Sequence, residues 1–244
     1  MLHKTRGIVL RTVKYGETSV VVTILTELFG IQSYLVNGVR TEKRSRSPKA
    51  NLLQPATILE LIVYFRENKS LQRISEFHPG YLYKTLHSDV IKNMVALYMV
   101  ELLQKTLKQP ETNEMLYNFA EEALRTLDGA EGVAANLPLY FTLRLAALLG
   151  FRINGRFSPS TSFLNLAEGI FVSTPPHHPY YLEEETSRIT DRLLRCPAVE
   201  AIGSIYLNKD IRRRLLSAYL EFIKLHIPDF TELKSVRVLQ EILE

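Results

Sequence analysis

A chain of 244 residues, 46% hydrophobic and 23% charged, has the balance of a soluble globular protein and enough apolar material for one large domain or two ordinary ones. Its single cysteine, Cys196, excludes an internal disulfide and any multi-cysteine zinc site. The net charge of +4 is unevenly laid out. Residues 1–80 hold twelve Lys or Arg against six Asp or Glu, and the remainder holds eighteen against twenty. The basic character belongs to the first third of the chain, which raises the expectation of a nucleic-acid face there.

The N-terminus, Met-Leu-His-Lys-Thr-Arg, lacks the apolar core of a signal peptide, and no apolar run approaches the ~20 residues of a membrane span. A cytoplasmic protein with no membrane contact is expected. Gly7 to Val13 reads as a strand, and Tyr15-Gly-Glu17 as a turn that uses the conformational freedom of glycine. Ser19 to Leu25, rich in β-branched residues, predicts a buried second strand. Leu28-Phe-Gly30 turns the chain into a third, Ile31 to Val36. Leu59, Leu61, Val63 and Phe65 alternate with Glu60, Ile62 and Tyr64, the period of a strand with one buried face. The polar turn Glu67-Asn-Lys69 leads into Leu71 to Phe77. Five strands in roughly 80 residues predict a closed barrel of the OB type; a five-stranded SH3-like barrel has the same pattern.

Between the third and fourth strands lies Arg40-Thr-Glu-Lys-Arg-Ser-Arg-Ser-Pro-Lys49, with five basic residues, one acid and nothing large enough to bury. Such a segment stays solvated and presents dense positive charge, either as a grip for an anionic polymer or as a plain solvated loop.

From Tyr81 the period changes to that of helices. Ser88-Asp89 caps a first, with Ile91, Val95, Tyr98 and Leu102 on one stripe. Pro110-Glu111 opens a second, with Leu116, Ala120, Ala123 and Leu127 inward, ending near Asp128-Gly129. A third runs from Pro138 to Gly150, with Leu139, Leu143, Ala146 and Ala147 facing a neighbour. Asn208 caps a long helix carrying Ile211, Leu215, Ala218, Phe222 and Leu225, and a short one spans Leu233 to Leu243. The fold class is α+β multidomain: residues 1–80 an OB-type barrel, residues 81–244 a helical bundle. Residues 151–182 interrupt the bundle as an irregular insertion in which Gly169 to Val172 fits a short strand.

Catalytic constellations are missing. The sequence has no phosphate-binding Gly loop, no dinucleotide fingerprint, no HExxH and no Gly-x-Ser-x-Gly. His177-His178 are too few for a metal site, and Glu183-Glu-Glu185 reads as the acidic first turn of a helix. Arg212-Arg-Arg214 could form a second basic patch, but three consecutive residues spread around a helix, and a solvated face is the alternative. Neither an enzyme nor a cofactor is expected.

The run Gly7-Ile-Val-Leu-Arg-Thr12, then Tyr15-Gly-Glu-Thr18, Leu25-Thr-Glu-Leu-Phe-Gly30, Asn37-Gly-Val-Arg40 and Gln54-Pro55, resembles the RecO family of bacterial recombinational-repair proteins. Tyr98-Met-Val-Glu-Leu102, Phe141 to Phe151 and Leu233-Lys-Ser-Val-Arg237 extend the likeness in the same order over nearly the whole chain. The resemblance implies an OB barrel, a helical bundle, and an insertion that in many members carries four zinc-binding cysteines. This chain has none between Phe151 and Tyr181, so no zinc is expected; packing by Phe157, Phe163, Phe171 and the prolines would hold the insertion.

The function so implied is that of a cytoplasmic, nucleoid-associated recombination mediator. Such a protein binds single- and double-stranded DNA, anneals strands, and acts with RecR to load RecA onto strands coated by single-strand-binding protein. Phosphate neutralisation by Lys and Arg needs no base-reading chemistry, and OB barrels track strands along basic grooves with aromatic stacking. The DNA-binding candidates are Arg40, Lys43, Arg44, Arg46 and Lys49 on the loop, with Arg11, Lys14, Arg66, Lys69 and Arg73 on strands or turns. Tyr34 and Tyr64 are candidates for base stacking, with barrel-wall packing the alternative for each. The resemblance also implies docking of the acidic C-terminal tail of single-strand-binding protein on the helical part, for which Arg144, Arg152, Lys234 and Arg237 are candidates, with plain surface charges or helix-end caps the alternative for each. The competing reading is a protein-interaction scaffold whose barrel does not bind DNA.

Overall fold

A computed structural model of the chain describes residues 1–39 and 48–242. The chain forms two compact units, residues 1–84 with 100–125, and residues 85–99 with 126–244.

In the first unit, β1 (Leu2–Tyr15), β2 (Ser19–Thr26), β3 (Gly30–Val36), β4 (Ile58–Tyr64) and β5 (Leu71–Pro79) close into a barrel in the order β1-β2-β3-β5-β4. Only β3 and β5 run parallel. Closure of β1 on β4 and of β3 on β5 is the OB arrangement, which decides between the two barrel types. The alternation visible in the sequence sets the pleat: Gln32, Tyr34 and Val36 point in from β3, while Ile31, Ser33 and Leu35 face out. Val9, Val22, Ile24, Tyr34, Leu59, Leu61 and Val63 form the interior, and the short helix α1 (Pro48–Asn51) leads to Leu53, which plugs it.

β1 is long because it serves two neighbours. Its first half pairs with β4, its second with β2, and a bulge between Val9 and Arg11 bends it between them. At the crossing stands Gly7, where a Cβ would lie 2.6 Å from Ile24 Cγ2 and 2.8 Å from Leu61 Cδ1. The β2–β3 turn ends at Gly30 with φ +60°, and a Cβ there would collide with the backbone of Glu111.

Helices α2 (Val90–Thr106) and α3 (Glu114–Gly129) follow. Asp89 Oδ1 accepts from the Lys92 N–H at 2.9 Å, the expected cap of α2. The start expected for α3 is corrected: residues 110–113 remain in the loop, and the cap is Asn113, whose Oδ1 accepts from the Leu116 N–H at 2.9 Å. The preceding loop is tied down instead, with the Thr112 hydroxyl donating to the Leu28 carbonyl at 3.1 Å. Leu116, Ala120, Ala123 and Leu127 are buried, in keeping with their stripe.

The second unit is built around α4 (Leu137–Leu148), nine of whose residues are buried, as suits a central helix apolar on most faces. Gly150 follows it with φ +96°. Helices α5 (Glu184–Leu194), α6 (Lys209–His226) and α7 (Lys234–Ile242) complete the bundle, with a 3-10 stretch at Val199–Ser204 that the sequence pattern does not reveal. Asn208 caps α6 as expected, accepting from the Ile211 N–H at 2.8 Å. Buried hydroxyl pairs lock the layers: Tyr98 to Thr142 at 2.6 Å and Thr190 to Tyr219 at 2.7 Å. Two residues of the predicted stripes, Ile91 and Leu225, lie at the edge of the packing and are partly exposed.

Residues 151–182 contain a small sheet, β7-β6-β8, of β6 (Phe163–Asn165), β7 (Ile170–Val172) and β8 (Tyr181–Leu182). Leu164, Phe171 and Leu182 are its buried apolar residues, with Leu166 buried just beyond β6. A structural zinc needs four converging donors. His177 is exposed, the His178 Nδ1 accepts from the Tyr180 N–H at 3.2 Å, and among the described residues no three His, Cys, Asp or Glu side chains converge. The donor set does not fit a zinc ion, and apolar packing occupies that place. Among the described residues no helix is long and apolar enough to cross a membrane.

Candidate nucleic-acid interface

Three basic residues of the barrel come together around the β4–β5 turn, residues 65–70. Phe65 stacks on Phe29 with ring centroids 4.1 Å apart, fixing the entry to the turn. The Lys69 N–H donates to the Arg66 carbonyl at 3.1 Å and closes it. Tyr64, Arg66, Lys69 and Arg73 then line one groove beside Leu71 and Gln72. Four of the predicted DNA-binding or stacking residues are thus adjacent although they span ten positions in sequence.

Strand register extends the surface. Tyr64 lies opposite Leu2 on one side and Arg73 on the other. Arg73 lies opposite Leu35, Leu35 opposite Val21, and Val21 opposite Val13. These residues form a band around the outside of the barrel, in which Tyr64 is 46% and Val13 43% exposed. Arg11 shares the outward face of β1 with Val13. Lys14 is also exposed, but by the same alternation it belongs to the opposite face, beside Val20 at the rim. A strip of exposed apolar and aromatic atoms bordered by cations suits unstacked bases with flanking phosphates.

Among the described residues, Arg11, Arg66, Lys69 and Arg73 are not tied to carboxylates. Lys4 by contrast faces Glu60 at 3.4 Å, and Arg6 is bound on two sides, to Glu27 at 2.6 Å and Glu121 at 2.8 Å. Hydrogen bonds from Arg6 hold the Glu27 carboxyl below its ordinary range. Arg6 is therefore a structural cation.

The assignment of Tyr34 to base stacking is corrected. It is fully buried in the barrel interior, because its place in the β3 alternation points inward, and no base can reach it. Lys49 is exposed on α1. Arg40, Lys43, Arg44 and Arg46 lie outside the described residues. What the sequence does not reveal is Gln72, buried under the turn; a glutamine in the first inward position of a strand is its only signal.

In the second unit, Arg144 on α4, Arg152 beyond it, and Lys234 and Arg237 on α7 are all exposed, and Arg237 reaches Glu241 at 3.6 Å. None of them lines the apolar cavity of this unit, which is formed by Pro138, Leu139, Leu216 and Leu239 with Lys209 and Arg213 at its edge. The signal that points to it is the spacing of Lys209, Arg213 and Leu216 on α6, one turn apart.

Residues 1–81 match the family model described as recombination protein O N terminal, and residues 87–237 match the one described as its C terminal. The chain is 34% identical to the DNA repair protein RecO of Phocaeicola vulgatus, with 99% of each chain covered. It is 32% identical to the protein of the same name from Bacteroides fragilis, with 100% of each covered, and 27% identical to that of Porphyromonas gingivalis over the same share.

Proposed function

From the premise that this chain belongs to the RecO family, whose role lies in DNA repair and recombination, we propose that it is a non-enzymatic recombination mediator that binds DNA through the outer face of its OB barrel. In this reading it engages single and double strands, anneals complementary ones, and acts with RecR to help RecA load onto strands coated by single-strand-binding protein. The observation that carries the DNA-binding part is the groove in which Tyr64, Arg66, Lys69 and Arg73 meet, none of the three cations being paired with a carboxylate among the described residues. Lys and Arg release condensed counterions from the phosphates, so binding there falls steeply with salt. Cations alone would serve a duplex; the exposed Tyr64 and the apolar band beside it favour unpaired bases.

Annealing follows from such a face. A strand held by its phosphates and by loose stacking keeps its Watson–Crick edges open to a complement. The test is the rate at which the full-length protein pairs complementary oligonucleotides, bare and coated with single-strand-binding protein. Acceleration in both cases is expected. No acceleration and no oligonucleotide shift at low salt would leave the scaffold reading in its place.

The apolar cavity edged by Lys209 and Arg213 favours a partner reading as well. An acidic peptide ending in an apolar residue would place its side chain on Leu139, Leu216 and Leu239 and its carboxylates on the two cations. The C-terminal tail of single-strand-binding protein is the proposed occupant. Binding of that tail peptide should weaken at least tenfold in Arg213→Glu and Lys209→Glu and remain native in Arg144→Glu; the reverse pattern would return the site to the α4 surface.

A further inference from the structure

Gln72 is the second residue of β5, 3% exposed, with Tyr34 of the barrel interior as its register partner. Burial alone would suit an apolar side chain at such a position, and a primary amide placed there must find partners. All the partners it finds are on the backbone of the turn before it. Its Nε2 donates to the Arg66 carbonyl at 2.8 Å and to the Lys69 carbonyl at 2.6 Å, while the Arg66 N–H donates to its Oε1 at 3.0 Å. The two residues it grips are the two cations of the turn, and both line the groove with Tyr64 and Arg73.

Residues 66–70 are all exposed, so no packing of their own holds them. A five-residue polar turn of this kind samples many conformations unless something beneath it fixes the backbone. The turn's own bond from the Lys69 N–H to the Arg66 carbonyl closes it, and Gln72 anchors both ends of that bond to the barrel, satisfying both of its amide hydrogens in doing so.

We propose that Gln72 is the positioning residue of the DNA-binding turn, holding Arg66 and Lys69 at a set separation so that both meet the phosphates of one strand. This rests on the reading of the groove as the DNA site. Gln72 touches no nucleotide. It acts by removing the ordering cost that a loose turn would incur on binding.

A double-mutant cycle separates this role from a purely structural one. A labelled oligothymidine is titrated with full-length protein, well below the melting temperature of each variant. Gln72→Leu should weaken binding roughly tenfold in the native background. It should add nothing in Arg66→Ala/Lys69→Ala, where there are no cations left to position. An equal loss in both backgrounds, or none in either, overturns the proposal. Full affinity in Arg66→Ala/Lys69→Ala itself overturns the reading of the groove, and this proposal with it. If Gln72→Leu does not fold, Gln72→Glu completes the same cycle, since it keeps an acceptor for the Arg66 N–H and loses both donors.

Discussion

Arg6 on β1 and Glu121 on α3 form a 2.8 Å ion pair, and the same carboxylate takes a second guanidinium, Arg125, at 2.6 Å. Glu121 is almost completely buried, whereas Arg6 and Arg125 are each about two-fifths exposed. Removing the acid takes a carboxylate from both guanidiniums at once and leaves Arg6 only Glu27, which is costlier than removing one of the cations. Glu121→Leu should destabilise the protein by about 3 kcal/mol, and Arg6→Met by about 1–2 kcal/mol, since Glu121 then keeps Arg125. Urea denaturation of both variants checks the order, and DNA affinity should be unchanged in folded Arg6→Met because Arg6 lies outside the groove.

The same guanidinium sets an acid limit. Hydrogen bonds from Arg6 are the largest influence on Glu27 and lower its carboxyl pKa from 4.5. A carboxyl lowered by folding lends stability that is complete above its unfolded value and lost as the pH falls through the folded one. Wild-type stability should therefore fall as the pH drops below about 4.5, and more steeply than in Glu27→Gln, with the two curves converging at lower pH. Urea midpoints across that range measure the difference.

Barrel closure depends on the missing side chain of Gly7. A methyl group there meets Ile24 Cγ2 and Leu61 Cδ1 well inside contact distance. Gly7→Ala should cost about 1–3 kcal/mol through overpacking, with Gly16→Ala as a contrast in which the added atom meets nothing and only backbone strain acts. Thermal unfolding of the two variants separates the effects.

Tyr64 and Tyr34 are equivalent in the sequence and opposite in the barrel. Truncating the exposed Tyr64 to Ala should weaken single-strand binding by about 1–3 kcal/mol, the worth of one stacked base. Tyr34→Phe should leave binding as it was, because the ring never leaves the interior. Parallel titrations of the two variants decide between stacking and wall packing.

That pair also marks how far the sequence is legible. Alternation predicts β2 to β5 to within one or two residues, since one face of each is buried and a shift by one would expose it, but it finds only Gly7 to Val13 of β1, whose polar start His3 to Arg6 shows no such pattern. It does not say which tyrosine faces out, because β3 carries a buried polar residue, Gln32, in its inward row and the half-exposed Ile31 and Leu35 in its outward one. The helices that open on a clear cap residue, α2 at Asp89 and α6 at Asn208, are readable, whereas the expected start of α3 falls too early because Pro110 suits a first turn as well as a loop. The groove is half visible. Arg66, Lys69 and Arg73 declare themselves by charge, but the Gln72 amide beneath them declares itself only once β5 is paired. The cavity edged by Lys209 and Arg213 escapes because Arg212-Arg-Arg214 reads as a dispersed run until α6 is placed beside α4 and α7.

The central claim is that strand phosphates meet the cations of the β4–β5 turn and β5. The most direct measurement is the salt dependence of single-strand binding by full-length protein, compared with the triple variant Arg66→Ala/Lys69→Ala/Arg73→Ala. Each neutralised phosphate of a single strand adds about 0.7 to the slope of log K against log salt, so removing three cations should make it shallower by about 2. An unchanged slope, with the variant folded, would contradict the account and move the DNA site off this groove.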